Sequence, residues 1–234
     1  MPFSSKAGKS LIALALARFD REFGVPAVVD VGPGVGTYGR MLRRILPRAS
    51  LTGVEVWGPY VSAHGLAAVY DTVHVCDARI YPFERLPRGG VALFGDVLEH
   101  MTADEAQETV LRALLVCDAA ILVVPLGPWP QDAYDGNPYE AHVATWSVEA
   151  VRDRFRFLAA EVVFPLAAGQ AVGVFALARR GVVRRPLHDA FAAASRRLRE
   201  VPELMAAGLD PTPDFSDPPQ LERFLAAVGP HLAG

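Results

Sequence analysis

The stretch VVDVGPGVGTYGRML, residues 28–42, runs from an apolar segment through a glycine-rich turn into a pattern typical of a helix. It places four glycines within eight positions, at residues 32, 34, 36 and 39. A turn of this kind between a strand and a helix brings a ligand close to the backbone, and the ligand is often a phosphate or a nucleotide. The stretch therefore predicts a binding site at the carboxyl end of a first strand.

Two glycine patterns fit this turn, and they imply different ligands. Gly34, Gly36 and Gly39 spell GxGxxG, which is typical of dinucleotide-binding proteins. The second pattern, DxGxGxG, adds an acid at the end of the strand and comprises Asp30, Gly32, Gly34 and Gly36. Asp30 would repel a diphosphate and attract an ammonium group. The second pattern is therefore favoured, and we expect a ligand that carries positive charge near the turn.

The composition is that of a globular protein with a sizeable core. The 234 residues are 51% hydrophobic and 21% charged, with a formal net charge of −3. Because there is no excess of positive charge, neither a nucleic acid nor an anionic membrane is expected as a partner. Cys76 and Cys117 lack the spacing of a metal-binding pair, so they predict buried reduced thiols and no metal site.

The amino-terminal segment predicts an amphipathic helix and not a signal peptide. Its apolar run LIALALA, residues 11–17, is followed at once by the charged sequence RFDRE, residues 18–22, and Gly24 then ends the pattern. No apolar segment is long enough to span a bilayer. We therefore expect a soluble, cytoplasmic protein.

Short apolar runs alternate with helical patterns along most of the chain. Strands are predicted at residues 27–31, 51–56, 72–76, 90–96 and 119–125. Helices are predicted at residues 37–46, 61–70, 103–116 and 147–155, the third of them with a capping box of Thr102 and Glu105. Apolar strands separated by helices predict a parallel sheet that is covered on both faces.

The last two predicted strands depart from this rhythm. Residues 158–166 and 171–179 are joined by the short sequence AAGQ, so they must pair antiparallel. We expect an α/β fold with a doubly wound, seven-stranded, mostly parallel sheet and a terminal antiparallel hairpin. Residues 181–234 predict a helical C-terminal appendage with a Pro- and Asp-rich stretch, attached to a domain of residues 1–180.

Four motifs, taken together, resemble those of the class I S-adenosylmethionine-dependent methyltransferases. They are VVDVGPGVG at 28–36, GVEVWGPYV at 53–61, VHVCDAR at 73–79 and ALFGDVLEHM at 92–101. The resemblance covers roughly residues 25–180 and includes the terminal hairpin. It implies a Rossmann-like domain that binds S-adenosylmethionine and transfers its methyl group.

The resemblance also implies which residues hold the cofactor. They lie at the glycine turn and at the ends of the second, third and fourth strands: Asp30, Gly32, Gly34, Gly36, Glu55, Val56, Asp77, Ala78, Asp96 and Val97. Glu55 is expected to accept both ribose hydroxyls, and Asp77 the adenine amino group. Asp96 is expected to line the methionine part of the cofactor.

The long loop after the fifth strand, residues 124–146, is the candidate acceptor region. His142 is the first candidate for a general base, with Glu140 as an orienting or alternative acid. His100 in the fourth motif is the other catalytic candidate. The expected acceptor-binding residues are Trp129, Asn137, Tyr139 and Trp146.

The sequence favours a small-molecule acceptor over a nucleic acid. It has no basic stripe, and the position where amino-methylating nucleic-acid enzymes carry NPPY reads DVLEH, residues 96–100. A methyl transfer to oxygen or nitrogen is expected, on a secondary metabolite, a sugar or a peptide-like compound, by a monomer or homodimer. Two alternatives stay open, an NAD(P)-dependent oxidoreductase and a non-catalytic protein that binds S-adenosylmethionine.

Overall fold

The computed structural model describes residues 7–207 and 215–233, and in them seven strands form one sheet. The strands are β1 (Ala27–Val31), β2 (Ser50–Glu55), β3 (Thr72–Val75), β4 (Val91–Gly95), β5 (Ala119–Leu126), β6 (Leu158–Pro165) and β7 (Ala171–Leu177). Their order is β3-β2-β1-β4-β5-β7-β6. Neighbours from β3 to β5 pair in parallel, whereas β7 is antiparallel to both β5 and β6. The predicted sheet with its antiparallel end is confirmed.

The helices agree with the predicted pattern except in one segment. They are α1 (Lys9–Phe23), α2 (Thr37–Ile45), α3 (Gly58–Ala63), α4 (Ala103–Ala113), α5 (Val148–Arg154), α6 (Gly181–Glu200), α7 (Pro202–Ala207) and α8 (Pro218–Val228). The helix predicted over residues 61–70 is wrong in its extent, because α3 begins earlier and a separate 3-10 helix covers Leu66–Ala68. Gly65 lies between them with a φ of 60°, a left-handed conformation that ends the first helix.

The helix α4 begins with the capping box that the sequence predicts. The hydroxyl oxygen of Thr102 accepts from the amide of Glu105 at 3.3 Å, and the Glu105 carboxylate accepts from the amide of Thr102 at 2.9 Å. These two bonds satisfy backbone donors at the start of the helix.

Different helices cover the two faces of the sheet. The helices α1, α2 and α6 pack on the face that carries Val28 and Leu93. The helices α4 and α5 pack on the face that carries Val29 and Phe94. Neighbouring residues of a strand point to opposite faces, so strands that are apolar at every position are buried on both sides.

The helix α6 packs against α1 on one face of the sheet. Its Leu187 and Phe191 belong to the same buried cluster as Leu11 and Phe19 of α1. The predicted helical character of the tail is therefore present in α6, α7 and α8, while the boundary at residue 180 stays a prediction. Part of the Pro- and Asp-rich stretch lies outside the described residues.

No helix among the described residues combines the length and the apolar character needed to cross a membrane.

Candidate functional site

A cavity opens at the edge of the sheet where the carboxyl ends of β1, β2, β4 and β5 meet. Eight predicted cofactor-binding residues line it: Gly32, Gly34, Glu55, Val56, Asp77, Ala78, Asp96 and Val97. The predicted catalytic and acceptor-binding residues that line it are His100, Glu140, His142, Trp129, Asn137 and Tyr139. The structure therefore brings together most of the residues that the sequence indicates. Asp30, Gly36 and Trp146 are not among the residues that line the cavity.

The glycine turn presents bare backbone to the cavity. Gly32 has a φ of 69° and Gly34 a φ of 53°, both in the left-handed region that favours glycine. A Cβ atom on Gly32 would lie 2.7 Å from Cγ2 of Val97, so no side chain fits there. Gly36 instead precedes the first residue of α2, where its carbonyl accepts from the amide of Arg40 at 2.9 Å. It starts the helix and does not line the cavity.

Glu55 holds a buried carboxylate against this turn. It ends β2 and is 3% exposed. One carboxylate oxygen accepts from the amide of Trp57 at 2.8 Å and the other from the amide of Gly34 at 3.2 Å. Burial raises the pKa of Glu55 to about 7. Each oxygen keeps further acceptor capacity, so Glu55 is suited to bind a ligand that offers two donors.

Asp77 at the end of β3 is already engaged by a neighbouring arginine. Nη2 of Arg79 lies 2.6 Å from one oxygen of Asp77, and Nε lies 3.0 Å from both. Burial works to raise the pKa of Asp77, but the hydrogen bonds from Arg79 outweigh it and hold the pKa below its usual value. An adenine amino group at Asp77 would share this carboxylate with Arg79.

Asp30 lies beneath the turn and not in the cavity. It is 1% exposed, and its Oδ2 accepts from the hydroxyl of Tyr70 at 2.5 Å. Burial raises the pKa of Asp30 to about 7, against the positive charge of Lys9, which works to lower it. Asp30 does not line the cavity, and its expected role, to organise the turn and favour a ligand ammonium directly or through water, stays a prediction.

Asp96 follows β4 in an unusual backbone conformation. Its φ is 52°, which is uncommon for a residue with a side chain. Its Oδ2 is buried and has no hydrogen-bond partner among the described residues. Burial raises the pKa of Asp96 to about 6, and the charge of Lys9 opposes that rise. Asp96 therefore carries an unsatisfied buried acceptor at the wall of the cavity.

Backbone hydrogen bonds tie the loop after β5 to the segment after β4. The carbonyl of Glu99 accepts from the amides of Val143 at 2.8 Å and Ala144 at 3.0 Å. Nδ1 of His100 lies 3.2 Å from the carbonyl oxygen of Ala141. As a result the rings of His100 and His142 meet edge to face, with centroids 4.8 Å apart.

The neighbours of the two histidines determine their tautomers. Nδ1 of His142 lies 2.6 Å from the carbonyl oxygen of Trp129, in the same way as His100 approaches Ala141. A carbonyl only accepts, so each Nδ1 carries the proton and each Nε2 keeps its lone pair. Burial lowers the pKa of both imidazoles, which favours the neutral rings.

The other side of the acceptor region is a polar wall around Glu140. The Tyr60 hydroxyl donates to Oε1 of Glu140 at 3.2 Å, and the side-chain amide of Gln131 donates to the Glu140 carbonyl at 2.6 Å. Asn137 is 2% exposed, and its Oδ1 accepts from the amide of Tyr139 at 3.0 Å. These contacts fix the loop as a wall of the cavity.

Comparison with known proteins gives matches in structure alone. No family model and no curated protein matches the sequence. The amino-terminal domain of EvdMO1, in the presence of S-adenosylhomocysteine and D-fucose, aligns with a TM-score of 0.53 at 16% identity over 74% of this chain and 84% of that one. A Nostoc punctiforme protein described as an O-methyltransferase aligns with a TM-score of 0.50 at 14% identity over 70% of this chain and 55% of that one.

The chain has the class I methyltransferase fold. One similar structure carries a different description, a Zn-dependent alcohol dehydrogenase of Rhodobacter sphaeroides, with a TM-score of 0.52 at 17% identity over 69% of this chain and 87% of that one. At these identities the likeness is one of fold.

Within the methyltransferase fold, Trp146 is a core residue, which corrects its expected place in the acceptor wall. It is 1% exposed and stacks on Phe155 with ring centroids 6.4 Å apart. The Trp146 carbonyl accepts a hydrogen bond from the amide of Gly127 at 2.8 Å, which holds this end of the loop beside the end of β5. The indole of Trp146 points into the core. A tryptophan can line a cavity or lie in the core, and the sequence alone does not show which of the two positions Trp146 has.

Sequence reasoning missed several residues that shape the site of this methyltransferase fold. Tyr38, Tyr60, Arg79 and Gln131 line the cavity, and Lys9 lies fully buried with its Nζ 4.3 Å from the centroid of the Tyr38 ring. The sequence does hold a signal for Lys9. A lysine beside an otherwise apolar helical run indicates a buried positive charge, which needs a buried acid as its partner. For the others the sequence holds no comparable signal.

Proposed function

We propose that the chain transfers a methyl group from S-adenosylmethionine to an oxygen or nitrogen atom of a small molecule. The observation that carries this proposal is the buried carboxylate of Glu55, fixed beside the glycine turn at the end of β2. In this chain, which has the class I methyltransferase fold, Glu55 lines the cavity. The solved EvdMO1 domain, which shares the fold, has S-adenosylhomocysteine bound.

The residues of the cavity fit a cationic nucleoside. Gly32 and Gly34 line the cavity with backbone that carries no side chain, so a ligand can lie against it. Glu55 offers acceptors for a pair of hydroxyls, and Asp96 offers a buried oxygen without a partner among the described residues. S-adenosylmethionine supplies a methyl group on a positively charged sulfur, which acidic walls favour over a diphosphate.

The protein's own task at the other end of the cavity is to hold the acceptor and remove its proton. His142, His100 and Glu140 are the candidates for the proton, and the neutral imidazoles have free Nε2 lone pairs. Trp129, Asn137 and Tyr139 are the candidates for the acceptor wall. The loop after β5 encloses this end of the cavity, which favours a small molecule as the acceptor. The cofactor site belongs to the proposed domain of residues 1–180.

A dinucleotide-dependent oxidoreductase is the second candidate, because one similar structure is described as an alcohol dehydrogenase. Two observations count against it here. The strand β7 is antiparallel to β5, whereas a dinucleotide-binding sheet is expected to finish with parallel strands. Asp96 at the end of β4 lines the cavity, and an acid there suits a cationic ligand better than a diphosphate.

Calorimetry with S-adenosylhomocysteine and with NADH separates the candidates. We expect S-adenosylhomocysteine to bind and NADH to give no heat. Binding of NADH without binding of S-adenosylhomocysteine would overturn the proposal. Cofactor binding without methyl transfer to any acceptor in a broad panel would leave a non-catalytic binding protein.

A further inference from the structure

Three side chains at the acceptor end of the cavity converge on one point. They are Glu99, His100 and His142, and one potential ligand atom from each lies within 4.8 Å of the other two. Glu99 and His100 follow β4, whereas His142 comes from the loop after β5. The backbone bonds from Val143 and Ala144 to the Glu99 carbonyl hold the two segments together. The cluster is therefore built by the fold and not by chance contact of mobile side chains.

The histidines are oriented as metal ligands usually are. A ligating imidazole donates its second ring N–H to a carbonyl or carboxylate, which fixes the tautomer and the plane of the ring. Nδ1 of His100 faces the Ala141 carbonyl at 3.2 Å, and Nδ1 of His142 faces the Trp129 carbonyl at 2.6 Å. Each ring therefore has Nε2 available to coordinate an ion.

The carboxyl group of Glu99 is only partly satisfied. Glu99 is 2% exposed, and its Oε2 is buried without a hydrogen-bond partner among the described residues. The buried Oδ2 of Asp96 also has no hydrogen-bond partner among the described residues, although the charge of Lys9 acts on this carboxyl group. Buried charges in proteins are normally paired or coordinate a metal. A cation at the cluster would satisfy the carboxylate and both imidazoles at once.

We propose that Glu99, His100 and His142 bind a divalent first-row transition-metal cation, with open coordination positions toward the cavity. Two imidazoles and one carboxylate favour ions such as Zn²⁺, Co²⁺, Mn²⁺ or Fe²⁺ over Mg²⁺ and Ca²⁺, which prefer oxygen ligands. Imidazole and carboxylate ligands sit about 2.0–2.2 Å from Zn²⁺, so two ligand atoms on one ion are at most about 4.4 Å apart and the three side chains would move closer together on binding.

The cation would change how the acceptor loses its proton. An Nε2 that coordinates an ion has no lone pair for a proton, so His142 is then a ligand and not the general base. An acceptor hydroxyl whose oxygen occupies an open position becomes more acidic; its O–H bond breaks, the proton passes to water and the electron pair stays on oxygen. This role in methyl transfer rests on the proposed function, whereas the binding of the cation does not.

Metal binding is measured on the full chain after treatment with EDTA and dialysis. Co²⁺ is titrated while its visible d–d absorption is followed, and Zn²⁺ and Mg²⁺ are titrated by calorimetry. We expect one Co²⁺ or Zn²⁺ per chain, a higher melting temperature with metal, and no heat from Mg²⁺. Absence of Co²⁺ and Zn²⁺ binding would overturn the proposal.

Variants locate the site. Glu99→Gln, His100→Ala and His142→Ala should each weaken Zn²⁺ binding by at least roughly tenfold, since even outer-shell changes cost about that much. His188→Ala is the matched control, because the exposed His188 also places Nδ1 near a carbonyl, that of Ala159 at 2.9 Å, but lies on α6. Thermal unfolding of each metal-free variant shows whether it is folded. Folded site variants that bind Zn²⁺ as tightly as the His188→Ala control would also overturn the proposal.

Binding of S-adenosylhomocysteine to the metal-free protein separates the two proposals. If it binds and no metal does, the metal site is overturned and the methyltransferase proposal stands. If Zn²⁺ binds and S-adenosylhomocysteine does not, the metal site stands and the methyltransferase proposal is overturned.

Discussion

The backbone carbonyl of Glu99 accepts a hydrogen bond at 2.8 Å from the amide of Val143, which joins two segments far apart in the sequence. This bond and its neighbour from Ala144 hold the loop after β5 against the end of β4. The consequence is geometric, because it places His142 edge to face with His100, and both histidines line the cavity. The acceptor end of the cavity is therefore held in place by backbone bonds.

The first prediction concerns the carboxylate that organises the cofactor end. Glu55→Ala should weaken binding of S-adenosylhomocysteine by about 1–3 kcal/mol, because the ligand loses a buried hydrogen-bond partner. The amides of Gly34 and Trp57 lose their acceptor as well, so the turn should loosen. Calorimetry measures the affinity, and Glu108→Ala on the exposed side of α4 is the control. Equal affinities of the two variants would remove Glu55 from the binding site.

The sequence predicted the grouping of the candidate cofactor-binding residues better than that of the candidate acceptor-binding residues. Parallel strands place their carboxyl ends at one edge of the sheet, so acids at Glu55, Asp77 and Asp96 had to come close together. That inference needs only the order of strands and helices. It does not need any side-chain contact.

The acceptor end depends on contacts that sequence patterns do not encode. The meeting of His100 with His142 follows from hydrogen bonds between two irregular segments, and the inward turn of Trp146 follows from its pairing with the end of β5. The burial of Asp30 against Tyr70 needs the packing of α2 on the sheet, where a Cβ atom on Gly39 would lie 2.3 Å from the Tyr70 ring. These are tertiary effects.

The second prediction concerns the dependence of stability on pH. Burial raises the pKa of Asp30 from its ordinary 3.8 to about 7 in the folded protein, with Glu55 adding to the rise and Tyr70 and Lys9 opposing it. The folded state therefore holds the Asp30 proton where the unfolded state has lost it. The Asp30 contribution to the free energy of unfolding falls as pH rises through this window, by about 1.4 kcal/mol per unit.

The measurement for Asp30 is a difference between two pH profiles. Other groups shift in the opposite direction, Asp77 among them, so the wild-type profile alone does not isolate Asp30. Urea unfolding of wild type and Asp30→Asn at several pH values between about 4 and about 7 gives both slopes. As pH rises, the free energy of unfolding of Asp30→Asn should fall less, or rise more, than that of the wild type. Parallel profiles would show that Asp30 is ionised throughout in the folded protein.

The third prediction concerns Lys9, which is fully buried near Asp30 and Asp96. At a pH above about 7, where Asp30 is ionised in the folded protein, Lys9→Met should destabilise the protein by about 3–5 kcal/mol, because it leaves buried acids without a compensating charge. Asp30→Asn in the Lys9→Met background should cost less than in wild type. A double-mutant cycle by chemical unfolding measures this coupling. Strictly additive effects would show that the two charges do not interact.

The fourth prediction separates two costs of placing a side chain at Gly32, the strain of a left-handed backbone and a clash with a neighbouring side chain. Gly32 and Gly65 have similar backbone conformations, with φ of 69° and 60°, but only Gly32 has a close neighbour for a new Cβ atom, Cγ2 of Val97 at 2.7 Å. Gly65→Ala should cost about 1–2 kcal/mol from the left-handed backbone alone. Gly32→Ala should cost more, because it adds a clash.

The clash is tested by a second substitution. Val97→Ala in the Gly32→Ala background removes the obstructing methyl group, so the free energy of unfolding should recover toward the level of Gly65→Ala. Affinity for S-adenosylhomocysteine should stay low even then, because the added Cβ atom still occupies backbone that faces the cavity. Denaturant unfolding and calorimetry together make the test. If Gly32→Ala is no less stable than Gly65→Ala and binds the ligand normally, the bare backbone at Gly32 has no part in recognition.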